Sequence, residues 1–293
     1  MKRILVPLDG SPLSESILPI AEEWAKDEEA EVSLLRAVHA HRVPGLDDVN
    51  AQVRVVEDGE AYLKEVAERL ERRGLKPVHW AVWYDEPAKA IALAVTRYAI
   101  DLVAMATHGR GGLSRLLLGS VAEAVVRSVQ VPVLLLRGQS AWKAWANGKM
   151  LVPLDGLQTA EAILPIVERL AGPRDLMVSL LEVIEPLPSA VRAESTQLDD
   201  LITLRREEAQ GYLAKVADAL KAKGLRVEWT LAFGHAAETI ADIAAEKRAD
   251  LIAMATHGRT GLERLFLGSV AEGVLRRASI PVLLFKANAR VNQ

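Results

Sequence analysis

At 293 residues, half hydrophobic and about a quarter charged, the chain has the length of about two globular domains and apolar material enough for a core in each. Its net charge of -3 gives no reason to expect a nucleic-acid or anionic-membrane partner, and the absence of cysteine rules out disulfides, thiol catalysis and cysteine-ligated metals. No apolar run is long enough to span a bilayer, and Met1-Lys2-Arg3 leads into a run only a strand long rather than into a signal peptide, so a cytoplasmic protein is expected.

In the first half, apolar runs near residues 3–8, 31–38, 77–83, 101–106 and 132–136 read as strands. Helical patterns near 12–26, 52–73, 87–98 and 120–129 lie between them. Ser11-Pro12 is a helix start, with serine at the cap and proline at the first helical position, whereas the equivalent start near Leu157-Gln158-Thr159 is less clear. Gly74 and Gly224 each follow a charged amphipathic stretch, as a helix stop should. The stretches 40–52 and 185–200 read as surface loops. This alternation predicts a parallel sheet with helices on both faces.

The same pattern then returns. Lys2 to Gly10 (KRILVPLDG) recurs as Lys149 to Gly156 (KMLVPLDG), Ile17-Leu18-Pro19-Ile20 as Ile163-Leu164-Pro165-Ile166, and Val131-Pro132-Val133-Leu134-Leu135 as Ile280-Pro281-Val282-Leu283-Leu284. Two homologous domains, 1–137 and 149–293, are therefore expected on either side of a linker at 138–148. Trp142 and Trp145 lie three apart in that linker and are expected to plug a groove between the halves rather than stack on a ligand.

The most informative repeat is Met105 to Glu123 (MATHGRGGLSRLLLGSVAE) against Met254 to Glu272 (MATHGRTGLERLFLGSVAE). Each copy follows an acid and an apolar run and precedes apolar residues at helical spacing, so it reads as strand, glycine-containing loop, helix. Gly119-Ser120 and Gly268-Ser269 sit where the helices begin. The first turn of a helix has amide N–H groups without internal partners and a positive dipole end. Glycine there lets a phosphate approach, and serine adds a donor. A plain serine cap after a glycine turn is the alternative.

In an open parallel sheet, ligands sit beyond the carboxyl ends of the strands where the strand order reverses. If the first and fourth strands are neighbours there, Asp9 faces the glycine loop across one crevice, and Asp155 faces Met254-Ala255 across a second. Such a carboxylate can accept from an adenine amine or ribose hydroxyls. Asp-Gly is also a common turn pair, which leaves a purely structural role open.

Ala-x-x-Gly, nine residues, then Gly-Ser resembles the nucleotide motif of the ATP-binding universal stress proteins, Gly-x-x-Gly-x9-Gly-Ser/Thr. The Pro-x-Asp of the first strand, the Leu-Leu before Ala37 and Val183, and the final Pro-Val-Leu-Leu strand are similar to that family as well. The resemblance covers nearly the whole chain twice and implies a tandem universal stress protein. Its fold would be α/β, two tandem Rossmann-like (adenine nucleotide alpha hydrolase-like) domains, each a five-stranded parallel sheet of order 3-2-1-4-5 with helices on both faces. The resemblance places adenine against Pro7, Asp9, Ala37 and Met105, and phosphates on Gly109, Gly119, Ser120 and Val121. The second set is Pro153, Asp155, Val183, Met254, Gly258, Gly268, Ser269 and Val270. The final strands of the two halves would pair antiparallel, so that one chain mimics a homodimer, and two chains could associate further.

Two departures stand out. The motif's first glycine is alanine in both halves, Ala106 and Ala255, where a backbone needing positive φ would suffer. The turn after the third strand is Gly234-His235-Ala236 in the second half but Asp85-Glu86-Pro87 in the first, and two carboxylates would repel a polyphosphate. The second crevice is therefore expected to hold ATP more tightly.

No Gly-x4-Gly-Lys-Ser/Thr is present, so no P-loop lysine reaches terminal phosphates. His108 and His257 are read as fixing the loop rather than as bases; Arg110 and Arg259 are open to two readings, contact with a phosphate or an outward, solvated side chain. Ser114 and Ser120 lack a base-and-orienter pair in the sequence, and no metal-ligand spacing is seen, so Mg²⁺ is expected to arrive with the nucleotide. The expected function is a regulatory module that binds ATP, with ADP and AMP as further candidates, and is more a binder than an enzyme. A slow ATP hydrolase or phosphotransfer protein, and a scaffold that binds no nucleotide, are the alternatives.

Overall fold

The computed structural model describes residues 1–38, 49–75, 77–107, 119–138, 145–186, 195–257 and 267–287. The chain divides into two compact units, Met1–Ala144 and Trp145–Gln293. The first contains β1 (Arg3–Pro7), α1 (Pro12–Glu15), α2 (Leu18–Asp27), β2 (Glu31–Val38), α3 (Val49–Arg72), β3 (Val78–Tyr84), α4 (Pro87–Arg97), β4 (Leu102–Thr107), α5 (Ser120–Ser128) and β5 (Val133–Arg137). The second contains β6 (Lys149–Leu154), α6 (Gln158–Glu161), α7 (Leu164–Arg174), β7 (Met177–Ile184), α8 (Ser195–Ala222), β8 (Arg226–Phe233), α9 (Ala236–Glu246), β9 (Leu251–His257), α10 (Ser269–Arg277) and β10 (Val282–Ala287).

Within the first unit the parallel strands run in the order β3-β2-β1-β4-β5, and within the second β8-β7-β6-β9-β10. Both are the expected 3-2-1-4-5 order. Ile4, Leu5 and Val6 of β1 and Leu102, Val103 and Ala104 of β4 are all buried, and so are their counterparts Met150, Leu151 and Val152 and Leu251, Ile252 and Ala253. Consecutive burial rather than alternation means that both faces of the central strands are covered, as a sheet with helices on each side requires.

The single helix expected over 12–26 is in fact two, α1 and α2, and the second unit repeats the break between α6 and α7. Pro19 and Pro165 sit in the first turns of α2 and α7. Proline has no N–H to donate and its ring clashes with the carbonyl four residues back, so it sits most readily in a helix's first turn, as these two do; Pro173, near the end of α7, is accommodated inside the helix. The loops expected over 40–52 and 185–200 are likewise shorter, because α3 begins at Val49 and α8 at Ser195. At the other end of those helices the expected stops hold. Gly74 (φ +90) donates to Glu71 and Leu75 to Leu70, while Gly224 (φ +86) donates to Lys221 and Leu225 to Leu220. These paired bonds at a left-handed glycine close the last turn.

α9 and α10 approach closely at one point. A β-carbon built on Gly273 would lie 2.5 Å from Cβ of Ala237. The equivalent residue in α5 is Ala124, so the second unit has given up a methyl group to bring these helices together. Gly273→Ala is expected to lower the stability of the second unit by about 1–3 kcal/mol through overpacking, read as a fall in Tm by calorimetry.

Candidate functional site

The site begins where the central strands part. Arg3 accepts from Asp101 N–H on the β4 side, while Leu8 N–H donates to Leu35 on the β2 side. Since strand residues alternate in the neighbour they face, Pro7 faces β4, and there it has no N–H to give. β1 and β4 are paired only at Ile4 and Leu5, whereas β1 pairs with β2 through Pro7. The second unit repeats this. Lys149 O accepts from Asp250 N–H on the β9 side, so Pro153 also faces β9. β6 and β9 are paired only at Met150 and Leu151, against a ladder to β7 that continues to Leu154. A crevice therefore opens at the carboxyl ends of β6 and β9, where connections leave in opposite directions.

In the second unit this crevice encloses about 480 Å³ and is lined by Pro153, Leu154, Asp155, Ala160, Leu181, Val183, Ala236, Ile240, Met254, Ala255, Thr256, Leu267, Gly268, Ser269, Val270, Ala271 and Glu272. That size lies within the range of small-molecule pockets. Pro153, Asp155, Val183, Met254, Ala255, Gly268, Ser269 and Val270, all singled out from the sequence, come together on its wall. Gly258 lies outside the described residues. Leu154, Ala160, Leu181, Ile240, Leu267 and Ala271 also line it and were not expected there, because apolar residues on buried elements read as core; Thr256 and Glu272 line it too, and Ala236 belongs to the turn after the third strand of this unit. The period of two that places Val183 on the wall would also have placed Leu181 there.

One wall is the start of α10. Gly268 holds φ +94 and ψ 132, and no side chain caps the helix. Nothing lies within 4 Å of a β-carbon built there, so the glycine answers a backbone conformation that L residues avoid rather than a shortage of space. Ser269, Val270 and Ala271, the residues of the uncapped first turn, all line the crevice. Glu272, in the same turn, is matched by Arg276 at 3.2 Å. Gly119 repeats this geometry at the start of α5, with φ 89, ψ 126 and no side-chain cap.

Asp155 follows β6, and its Oδ1 accepts from Leu157 N–H at 3.0 Å; Asp9 does the same for Ser11 N–H at 2.8 Å. Both aspartates thus form the turn that the sequence left open, followed by glycines at φ +78 (Gly156) and +87 (Gly10). A carboxylate has lone pairs beyond those one turn uses, so the turn fixes the group without exhausting it. Ser11 caps α1 by accepting from Ser14 N–H at 3.1 Å, whereas Leu157 offers α6 no cap.

The first unit sets Pro7, Asp9, Ala37, Met105, Ala106, Gly119, Ser120 and Val121 on the same parts of the equivalent elements, in and just after β1, in β2 and β4, and at the start of α5. Gly109, His108, Arg110, Ser114, Arg259 and Trp142 lie outside the described residues. Ala106 and Ala255 belong to strands and are absent from the residues at positive φ, so alanine costs the backbone nothing there. His257 ends β9. Trp145 packs within its own unit, with the Arg174 guanidinium 5.9 Å from the ring centre.

The divergent turn has a steric explanation. A β-carbon on Gly234 (φ +147) would meet Thr239 Oγ1 at 2.5 Å. The first unit carries Asp85 at that position, and Ala90 where Thr239 would stand, which removes the obstruction. Asp85 is also matched by Lys89 at 3.1 Å, so the repulsion expected of it is smaller than the sequence alone suggests. In the second unit, Glu185 accepts from Ala236 N–H at 3.1 Å and places a carboxylate at the start of α9.

Behind the aspartate turns the units differ in charge. In the first, the Arg36 guanidinium lies over the Tyr62 ring at 5.0 Å and packs on Gly10, whose β-carbon would fall 3.2 Å from Nη1. Tyr62 donates to Glu15 at 3.0 Å, and Arg69 donates to the same carboxylate. In the second, position 36 becomes Glu182 and position 69 becomes Ala219. Oε2 of Glu182 is enclosed without a hydrogen-bond partner. Burial, and then the negative charge of Asp155, push its carboxyl up from the ordinary value. Burial and the carboxylates of Glu161, Asp155 and Glu182 raise the Tyr212 hydroxyl in turn.

Two α/β units, each with a parallel sheet whose central strands part at the switch point and with a glycine-led last helix, define a tandem α/β protein. The sequence model of the universal stress protein family matches residues 1–137 and again 146–286. The chain therefore belongs to the universal stress protein family and contains its domain twice. Among relatives, the universal stress protein MJ0531 of Methanocaldococcus jannaschii is 33% identical over 47% of this chain and 81% of its own length. A universal stress protein of Mycolicibacterium smegmatis is 23% identical over 97% of this chain and 96% of its own. The crystal structure of a universal stress protein from Archaeoglobus fulgidus DSM 4304 superposes with a TM-score of 0.72, covering 98% of each chain at 22% identity, a likeness of fold. No described helix is long and apolar enough to cross a membrane.

The raised carboxyl of Glu182 fixes a sign. A folded-state pKa above the unfolded value means that the folded unit keeps the proton to higher pH, so stability is greatest below the unfolded value and is lost as pH rises through the folded one. Glu182→Gln is expected to raise Tm at neutral pH and to leave it nearly unchanged at acid pH, measured by thermal denaturation across that interval.

Proposed function

We propose that this universal stress protein is an adenine-nucleotide-binding regulatory module, with ATP as the ligand and Mg²⁺ brought by its phosphates. The observation that carries the reading is the convergence of Asp155, Val183, Met254, Gly268, Ser269 and Val270 on one crevice of about 480 Å³. That crevice is apolar along β7 and β9 and ends at the glycine-led start of α10. A flat base suits the apolar side, a carboxylate suits an amine or ribose hydroxyl, and an uncapped helix start suits phosphate. The first unit offers the corresponding set on β1, β2, β4 and α5. Binding would change the surface that a partner protein meets, which is a regulatory rather than a catalytic use of the ligand.

Native mass spectrometry of gently purified protein is expected to find adenine-nucleotide mass at up to two per chain. In calorimetry, Asp155→Ala is expected to weaken ATP binding at the second crevice by about tenfold or more, the loss associated with a hydrogen bond to a charged group. Gly268→Val should abolish binding there by straining the turn. Retention of parental affinity in both variants would refute the assignment. Single-turnover incubation should return the nucleotide intact, whereas hydrolysis within the lifetime of the complex would make the protein an enzyme.

A further inference from the structure

Position 36 in the first unit and position 182 in the second are the same place in the repeat, Leu34-Leu35-Arg36-Ala37 against Leu180-Leu181-Glu182-Val183. Leu181 and Val183 line the crevice, so strand alternation puts Glu182 on the opposite face of β7, toward α8. A residue there touches no ligand. Arg36 packs on the first Asp-Gly turn at Gly10; nothing lies within 4 Å of a β-carbon built on Gly156, and Glu182 acts on the second turn through the mutual repulsion of its carboxylate and Asp155. We propose that this position governs how strongly each crevice holds an anionic ligand, and that protonation of Glu182 tightens the second crevice while the first, backed by Arg36, is indifferent to pH. The inference rests on the nucleotide reading and concerns the regulation of the same site.

The surroundings support it. In the first unit, Arg36 and Arg69 offset Asp9 and Glu15 around Tyr62. In the second, α8 carries Arg206, but its guanidinium lies over the Phe233 ring at 5.1 Å, and Oε2 of Glu182 has no hydrogen-bond partner. β6 ends in Asp155, α6 brings Glu161, α8 brings Tyr212, and the residue paired with Glu182 on β8 is Leu231. The group is enclosed at Oε2 without a partner, and burial together with Asp155 holds its proton to higher pH than an ordinary glutamate. Nor do these carboxylates form a metal site, since no group of three His, Asp or Glu among the described residues is arranged to hold an ion. A partly buried charge is screened far less than an exposed one, so one proton here alters the field at a neighbouring phosphate site measurably. Where Glu182 is ionised, its charge opposes the ranking expected from Asp85 and Glu86.

The test uses the full chain and ATP in calorimetry between about pH 5 and about pH 8. Gly119→Val leaves the second crevice to report, and Gly268→Val leaves the first, so any pH dependence belonging to ATP itself appears in both. Relative to the first crevice, the second is expected to tighten about three- to tenfold toward acid pH, the effect of one partly screened charge. Adding Glu182→Gln should tighten the second crevice at neutral pH and remove that relative slope, and Arg36→Gln should loosen the first without creating one. A Glu182→Gln protein that folds and keeps the parental affinity and slope overturns the inference and leaves the nucleotide reading standing. Failure of the unmutated chain to take up ATP at any pH overturns both.

Discussion

A strand in the middle of a parallel sheet owes hydrogen bonds to two neighbours, and proline can honour only some of that debt. In this chain the missing N–H of Pro7 and of Pro153 falls on the side of the fourth strand of each unit. Pairing to the second strand continues past it, while pairing to the fourth has already stopped. The sheet therefore opens along one seam, at the carboxyl end, where the topology sends successive connections in opposite directions. The aspartate turn, the apolar wall and the start of the last helix all gain their common cavity from that seam. Had the proline stood one residue earlier or later, its lost bond would have fallen on the ladder to the second strand, which here continues past it.

Duplication kept this device and relaxed much of what surrounds it. Where the second unit keeps Gly234 beneath Thr239, the first has Asp85 beneath Ala90, two changes that make sense only together because the threonine oxygen fills the space a β-carbon would need. Where α10 meets α9 through Gly273, α5 carries Ala124. Arg36 and Arg69 stand where the second unit has Glu182 and Ala219, so the cations beside Tyr62 and Glu15 are replaced by a further carboxylate beside Tyr212. The backbone scaffold of the crevice is thus common to both units, while the charge behind it and the packing beside it are not.

What the sequence made legible follows from the kind of physics each feature obeys. The helix stops at Gly74 and Gly224 and the glycine-led helix starts are local or repeated signals, while the strand order followed from the family resemblance, and the structure bears out both. The break in the first helix was equally local, written in Pro19 and Pro165, but the strong apolar spacing on either side concealed it. The apolar wall was harder to read. Leu181, Ile240 and Ala271 have the composition of core residues, and only the splaying of two strands makes them line a cavity. Lys89 opposite Asp85, and Glu182 behind Asp155, could not be weighed from spacing, because the consequence of a charge depends on which partner stands across from it.

That dependence explains how the aspartate turn can be at once structural and functional. Oδ1 of Asp155 is committed to Leu157 N–H, which fixes the carboxylate at the rim whatever else it does. A group held in this way loses little further freedom when a ligand arrives, so its contribution to binding is set mainly by electrostatics. The field at the turn is in turn set from behind, by a side chain on the far face of the neighbouring strand. Substitution at that hidden position changes the charge without disturbing the wall of the crevice. A duplicated domain can therefore alter the response of one copy while both keep the same shape.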